Sequence, residues 1–237
     1  MLSIKNVSKT YKGGKKAVDN LSLDIKAGDI YGFIGHNGAG KTTTIRAVAG
    51  VLDFEEGEIF INGISIKDDP VACKKVIAYI PDSPDLYAHL TGIDYIDFIA
   101  DIYDVDQSTR ERLTKEYADA FELTPNLGDS ISSYSHGMKQ KLAIIAALVH
   151  RPKLLILDEP FVGLDPKASR KLKDIMGELC NEGSAIFFST HVLEVAEKLC
   201  NKIAIIKDGK LAADGPTKEV IGDNSLEGLF LELVDEE

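Results

Sequence analysis

Nine residues constrain this chain more than any other stretch: Gly35-His36-Asn37-Gly38-Ala39-Gly40-Lys41-Thr42-Thr43. They fit G-x-x-x-x-G-K-S/T, the P-loop pattern, whose glycines let the backbone curl around an anion so that several N–H groups converge. In that pattern Lys41 reaches the β- and γ-phosphates and the Thr42 hydroxyl reaches Mg²⁺. The flanks agree with it. Asp29 to Ile34 is a short apolar, β-rich run, and Thr43 to Gly50 reads as a helix with glycine near its end. Strand, glycine loop and helix in that order aim a helix N-terminus at a phosphate.

The rest of the chain supplies an α/β rhythm around that loop. Leu2 to Ile25 alternates as two strands turned at Gly13-Gly14, with Tyr11 on the loop. Gly57 to Gly63 alternates between two glycines, Pro70 to Lys75 suits a short helix, and Val76 to Ile80 is a buried strand ended by Pro81. The composition then changes. Thr91, with Asp94 three residues on, is an N-cap for a helix to about Tyr103. A charged helix spans Ser108 to Phe121, and a third starts at Ser135 with Met138, Leu142, Ile145 and Val149 on one face. Strands follow at Lys153–Glu159 and Ala185–Ser189, helices at Pro166–Leu179 and Val192–Leu199, and a hairpin about Asp208-Gly209. The expected organisation is one domain over 1–237. Residues 1–85 and 151–222 form the nucleotide-binding core with a β-subdomain, 86–150 a helical insertion, and 223–237 a C-terminal helix.

Composition excludes several classes. With 237 residues, 44% of them hydrophobic, the chain can bury a real core. A net charge of −11 argues against a general nucleic-acid binder, which would show a basic stripe. The longest apolar run, Leu142 to Val149, has eight residues, far short of a spanning helix. The N-terminus lacks a signal-peptide core. Cys73, Cys180 and Cys200 show no metal-ligand spacing and read as free thiols in a reducing cytosol. His36, His89 and His150 likewise show no ligand spacing and read as surface or loop histidines. A cytosolic chain is expected, any membrane role coming through a partner.

A second constellation is the apolar run Leu154 to Leu157 ended by Asp158-Glu159. Alone, the pair would read equally well as two solvated acids. Beside a P-loop, an Asp there holds Mg²⁺ and an adjacent Glu can position and deprotonate a water. Tyr134-Ser135-His136-Gly137-Met138-Lys139-Gln140 then resembles the signature of ATP-binding cassette (ABC) ATPases, usually L-S-G-G-Q. Gly163-Leu164-Asp165-Pro166 resembles their D-loop and Ser189-Thr190-His191 their switch histidine.

That resemblance covers nearly the whole chain in the family's order, and it implies an ABC-type P-loop NTPase fold: an α/β core, a small N-terminal antiparallel β-subdomain and an inserted helical subdomain. It implies that Tyr11 stacks on adenine with Val18 nearby. Asn37, Gly38, Ala39, Gly40, Lys41, Thr42 and Thr43 would bind the phosphates of ATP, and Thr42 and Asp158 would hold Mg²⁺. Glu159 would be the base and His191 a γ-phosphate contact, with Lys41 completing the catalytic set. Ser135 and the Gly137 backbone would meet ATP bound by a second subunit, with Asp165 reaching across the same interface.

The implied assembly is a homodimer or pseudo-symmetric heterodimer of cassettes, with an isologous two-fold interface. Separate transmembrane permease subunits would dock on Asp82 to Thr91 and the helices beyond, Phe98, Ile99, Ile102 and Tyr103 supplying apolar contacts. The cassette would lie on the cytoplasmic face of the membrane. Three positions depart from the pattern: His136 replaces a glycine, Met138 replaces Gln, and Asp82 stands where Gln is usual. As a carboxylate, Asp82 is a better metal ligand but repels a γ-phosphate. Such signatures, and a short tail, suit an exporter. The alternatives are a cassette protein acting on ribosomes or DNA, which usually carries two cassettes or a coiled-coil insertion; a P-loop kinase or GTPase; and a nucleotide-binding module without turnover.

Overall fold

The computed structural model describes residues 1–235. Ten strands form two sheets: β1 (Leu2–Thr10), β2 (Lys16–Ile25), β3 (Ile30–Ile34), β4 (Glu56–Ile61), β5 (Ile64–Ser65), β6 (Ile77–Ile80), β7 (Leu154–Asp158), β8 (Ala185–Thr190), β9 (Lys202–Lys207) and β10 (Lys210–Pro216). The helices are α1 (Lys41–Val48), α2 (Pro70–Lys74), α3 (Gly92–Ile102), α4 (Gln107–Ala120), α5 (His136–Val149), α6 (Pro166–Asn181), α7 (Leu193–Leu199), α8 (Thr217–Ile221) and α9 (Leu226–Asp235).

One sheet is antiparallel, in the order β2-β1-β4-β5. The other runs β10-β9-β3-β8-β7-β6, parallel except for the terminal hairpin. In that hairpin Asp208 and Gly209 both take left-handed φ, 49° and 79°, as a two-residue turn between twisted strands requires. β7 lies inside the parallel sheet and all five of its residues are buried, which is why it reads as a continuous apolar run. Its side chains alternate. Leu155 and Leu157 enter the core shared with α5 and α6, while Leu154 and Ile156 enter the core beneath α1 and the antiparallel sheet.

β6 and β7 are parallel neighbours, and α3, α4 and α5 all lie on the connection between them. α5 is the helix of that crossover. Its last eight residues, Leu142 to Val149, are buried all round, because β6, α3 and α4 cover it from several sides. α3 opens with the full capping box: Thr91 accepts from the Asp94 N–H, and the Asp94 carboxylate accepts from the Thr91 N–H. α9 packs Leu226, Leu229, Phe230 and Leu233 inward and turns Leu231 outward. The Leu226 N–H donates to Glu197 of α7 at 2.9 Å. Of the expected C-terminal segment 223–237, residues 236 and 237 lie outside the described residues. Among those described, no helix is long and apolar enough to cross a membrane.

Candidate active site

The P-loop wraps the N-terminus of α1 at the C-terminal end of β3. Gly40 is the N-cap residue, with φ +111°, and a Cβ on it would lie 2.3 Å from the Ala17 carbonyl oxygen. Only glycine fits there. Gly38, also left-handed at φ +88°, faces open space. Lys41 is 6% exposed, and its Nζ donates to the carbonyls of Gly35 at 2.6 Å and His36 at 3.2 Å. Burial pulls the lysine pKa down, while the carboxylates of Glu159 and Asp158 pull it back up. The loop floors a cleft of about 280 Å³ lined by Tyr11, Lys15, Ala17, Asn37, Gly38, Gly40, Lys41, Thr42, Thr43, Asp82 and Glu159. The Tyr11 hydroxyl lies 3.3 Å from Thr43 Oγ1, and its ring is 42% exposed, open to a stacking partner.

Register brings the acids to this cleft. Asp158 at the end of β7 pairs with Ser189 of β8. The Ser189 hydroxyl donates to Asp158 Oδ1 at 2.5 Å and accepts from the Glu159 N–H at 3.0 Å, joining the two acids through one side chain. Asp158 is buried, and its Oδ2 has no protein partner. An orphaned buried carboxylate oxygen, close enough for its charge to act on Lys41, fits a bound cation or its waters. Glu159 takes left-handed φ, +49°, which aims its carboxylate into the cleft. Glu159 Oε1 lies 3.7 Å from Lys41 Nζ, and Oε2 lies 3.0 Å from His191 Nδ1. The set offers a base, a cation and an imidazole around one anion-shaped loop.

The remaining sequence candidates divide. Val18 is buried in the core beneath the antiparallel sheet, and Ala17 makes the cleft wall instead. Ala39 is also buried, its carbonyl accepting from Gly209 N–H at 2.9 Å. Asp82 lines the cleft while its Oδ1 accepts from the Ser83 N–H at 2.9 Å, so it sits at the cleft and caps its own turn. Ser135 and Gly137 are not at this cleft. Ser135 caps α5 through the Met138 N–H at 3.3 Å. Asp165 caps α6 through the Ala168 N–H at 2.8 Å and pairs with Lys141 Nζ at 2.7 Å, and both contacts hold its pKa below the usual carboxylate range. Sequence reasoning assigned nothing to Ser189, Lys15 or Ala17. Adjacency of the Asp158 and Ser189 strands is what would have exposed the serine.

A second depression adjoins the first. Pro81, Pro84, Asp85 and Leu86 line it together with Tyr95, Ile99 and Tyr103 of the α3 region and Ala143, Ala146, Ala147 and His150 of the α5 region. His150, expected as a surface or loop histidine, stands on the turn that ends α5 with its ring half-buried. Its ring stacks on Tyr103, centroids 3.6 Å apart and planes at 13°, and Nε2 lies 3.2 Å from the Ile77 carbonyl. Burial pushes its pKa down to about 4. Phe98 and Ile102 are exposed beside the groove, and Tyr87 meets Phe98 edge-on at 5.6 Å.

Comparison with known proteins places this geometry in a family. The ABC transporter profile matches residues 18–162. The ABC-type transporter ATP-binding protein EcsA of Bacillus subtilis is 35% identical over 242 residues, covering 100% of this chain and 98% of its own length. A solved ATP-binding subunit of an ABC transporter superposes with a TM-score of 0.94 at 34% identity, over 98% of this chain and 99% of that one. The cassette MJ0796, in a dimeric post-hydrolysis state bound to ADP and Pi, gives a TM-score of 0.83 at 26% identity, over 92% and 99%. The cleft, the paired acids and these likenesses converge: the chain belongs to the ABC transporter family, as an ATP-binding and ATP-hydrolysing cassette.

Proposed function

We propose that this cassette drives export, from the cytoplasmic face of a membrane, through separate transmembrane permease subunits. One observation carries the reading. The segment after β6 serves two sites at once, Asp82 on the nucleotide cleft and Pro81, Pro84, Asp85 and Leu86 on the apolar groove. A partner helix seated in the groove is thereby one residue from the nucleotide. The exposed Phe98 and Ile102 extend the apolar surface such a partner would cover. The signature containing His136 and Met138 supports the export direction.

In this reading Tyr11 stacks on adenine, while Lys41 and the converging P-loop amides hold the phosphates. Mg²⁺ would be held by Thr42, by the free oxygen of Asp158 and, through water, by Asp82; it would neutralise phosphate charge. Glu159 takes the proton of the attacking water, and His191, which lies against the same carboxylate, orients it. Ser135, Gly137 and Asp165 serve the partner cassette's ATP, which explains why they lie away from this chain's own cleft.

The test is fractionation of cells that express the chain with and without a candidate multi-span permease. The cassette should sediment with membranes only when that protein is present, and Ile99→Asp, which charges the groove, should release it. A wild-type chain that stays off membranes, or one that sediments with ribosomes, refutes the proposal.

A further inference from the structure

Where the family's signature has a glycine, this chain has His136, and the structure gives that imidazole a neighbour. It lies over Gly163. A Cβ built on Gly163 would stand 2.7 Å from His136 Cδ2 and 2.9 Å from its Nε2, and Gly163 is left-handed at φ +83°. The next residue of α5 approaches the same peptide: a Cβ on Gly137 would be 2.9 Å from the Gly163 carbonyl oxygen. One turn further along, Lys141 pairs with Asp165 at 2.7 Å. The start of α5 therefore meets the segment 163–165 at three places.

The other end of that segment is Glu159. Its carbonyl accepts from the Val162 N–H at 3.2 Å, closing a turn, and Phe161 is set edge-on against Phe188 at 5.9 Å. Three residues separate Glu159 from Gly163, one in the turn bond and one in the ring contact. A shift of Gly163 has little chain in which to dissipate before it reaches the Glu159 peptide, already left-handed.

We propose that His136 is a positioning residue for ATP hydrolysis: its ring fills the space over Gly163 and, with the Lys141–Asp165 pair, fastens the loop that carries Glu159 to the chain's own signature helix. The action is steric. A flat ring is required, and its nitrogens are not. The inference rests on the base role proposed for Glu159, and the two fail separately: kcat of the His136 variants is read with Glu159 in place, whereas near-normal hydrolysis by Glu159→Gln alone would overturn the base role.

The test uses the full chain with His136→Gly and His136→Phe. Steady-state hydrolysis gives kcat and KM, and the ATP concentration that drives dimerisation is read in the Glu159→Gln background. His136→Gly should lower kcat about tenfold, less than the 10²-fold that a 1 Å misplacement can cost. KM and the dimerisation midpoint should each stay within about twofold, since ground-state nucleotide binding is untouched. His136→Phe should recover kcat to within about threefold of the wild type, because its ring refills the space over Gly163.

A second measurement does not depend on these variants' absolute activities. Gly163→Ala forces a collision with the ring, so it should lower kcat more in the wild type than in His136→Gly, where the space is free. Four results overturn the proposal: an unchanged kcat in His136→Gly; a His136→Phe as defective as His136→Gly, which marks a need for the imidazole; a dimerisation midpoint that shifts with kcat, which marks a contact to the partner's nucleotide; or equal losses from Gly163→Ala in both backgrounds.

Discussion

Replacing His150 by phenylalanine should flatten the acid side of this protein's stability profile. The native ring is neutral: Nε2 faces the Ile77 carbonyl at 3.2 Å, the Tyr103 hydroxyl donates to that same oxygen at 3.2 Å, and Nδ1 is buried without a partner. A proton on Nδ1 would create a charge against stacked rings and alanines, which is why burial holds the pKa near 4 instead of 6.5. The unfolded chain has no such penalty. As pH falls through 6.5 the unfolded state takes up a proton that the native state refuses, so stability drops with falling pH and levels off below about 4. Between about pH 7 and pH 5 those two values give a loss of about 2 kcal/mol. That is an upper figure, because the groove is open to water and Asp85 on its wall would offset part of a charge. Phenylalanine keeps a ring on Tyr103 and removes the titration. Urea unfolding at pH 7, 6 and 5 reads the effect as the difference in slope between the two proteins, so any constant offset from the lost hydrogen bond cancels. Parallel profiles would show that His150 protonates freely in the native state, and burial of its ring would not be what holds it neutral.

Two further expectations concern the chemistry. Glu159→Gln should bind ATP normally, lower turnover by about 10²-fold or more, and persist as an ATP-bound dimer on size exclusion; near-normal hydrolysis would remove Glu159 as the base. Asp82→Asn preserves the turn acceptor for the Ser83 N–H but removes the charge, and it should raise the Mg²⁺ concentration for half-maximal hydrolysis by about two- to fivefold, the size of a modest electrostatic contribution. If Asn is silent and only Asp82→Ala lowers the melting midpoint, Asp82 belongs to the turn alone.

How much of this could be read from the chain follows from the distance over which each feature is decided. The P-loop, the capping box at Thr91 and the Asp208-Gly209 turn are local: a few consecutive residues carry both the backbone demand and the side chain that answers it. The paired acids were legible because β7 is buried on both faces and so announces itself as an apolar run. The bond from Ser189 to Asp158 was not legible, because it needs β7 and β8 to be neighbours in one register, and crossover topology decides that. His150 meets its acceptor 73 residues away and its stacking partner on another element, so nothing in its own neighbourhood marks its ring as held. Ala17 and Val18 show the finest failure. On a strand, consecutive residues face opposite ways, and one step decides which of them meets the cleft.

The crossover helix α5 has a mechanical consequence. Its 14 residues make a rod of about 21 Å with the signature at one end and, just past the other, the histidine of the groove floor. Neither proline nor a glycine beyond the first turn interrupts it, and close packing over its last two turns leaves it no room to flex. Such a rod transmits by tilting. A rotation of roughly 5° about its middle carries each end about 1 Å, in opposite directions. A displacement at the signature end would thus reach the groove end as a see-saw, with the direction of motion reversed in transit and no bond in between made or broken.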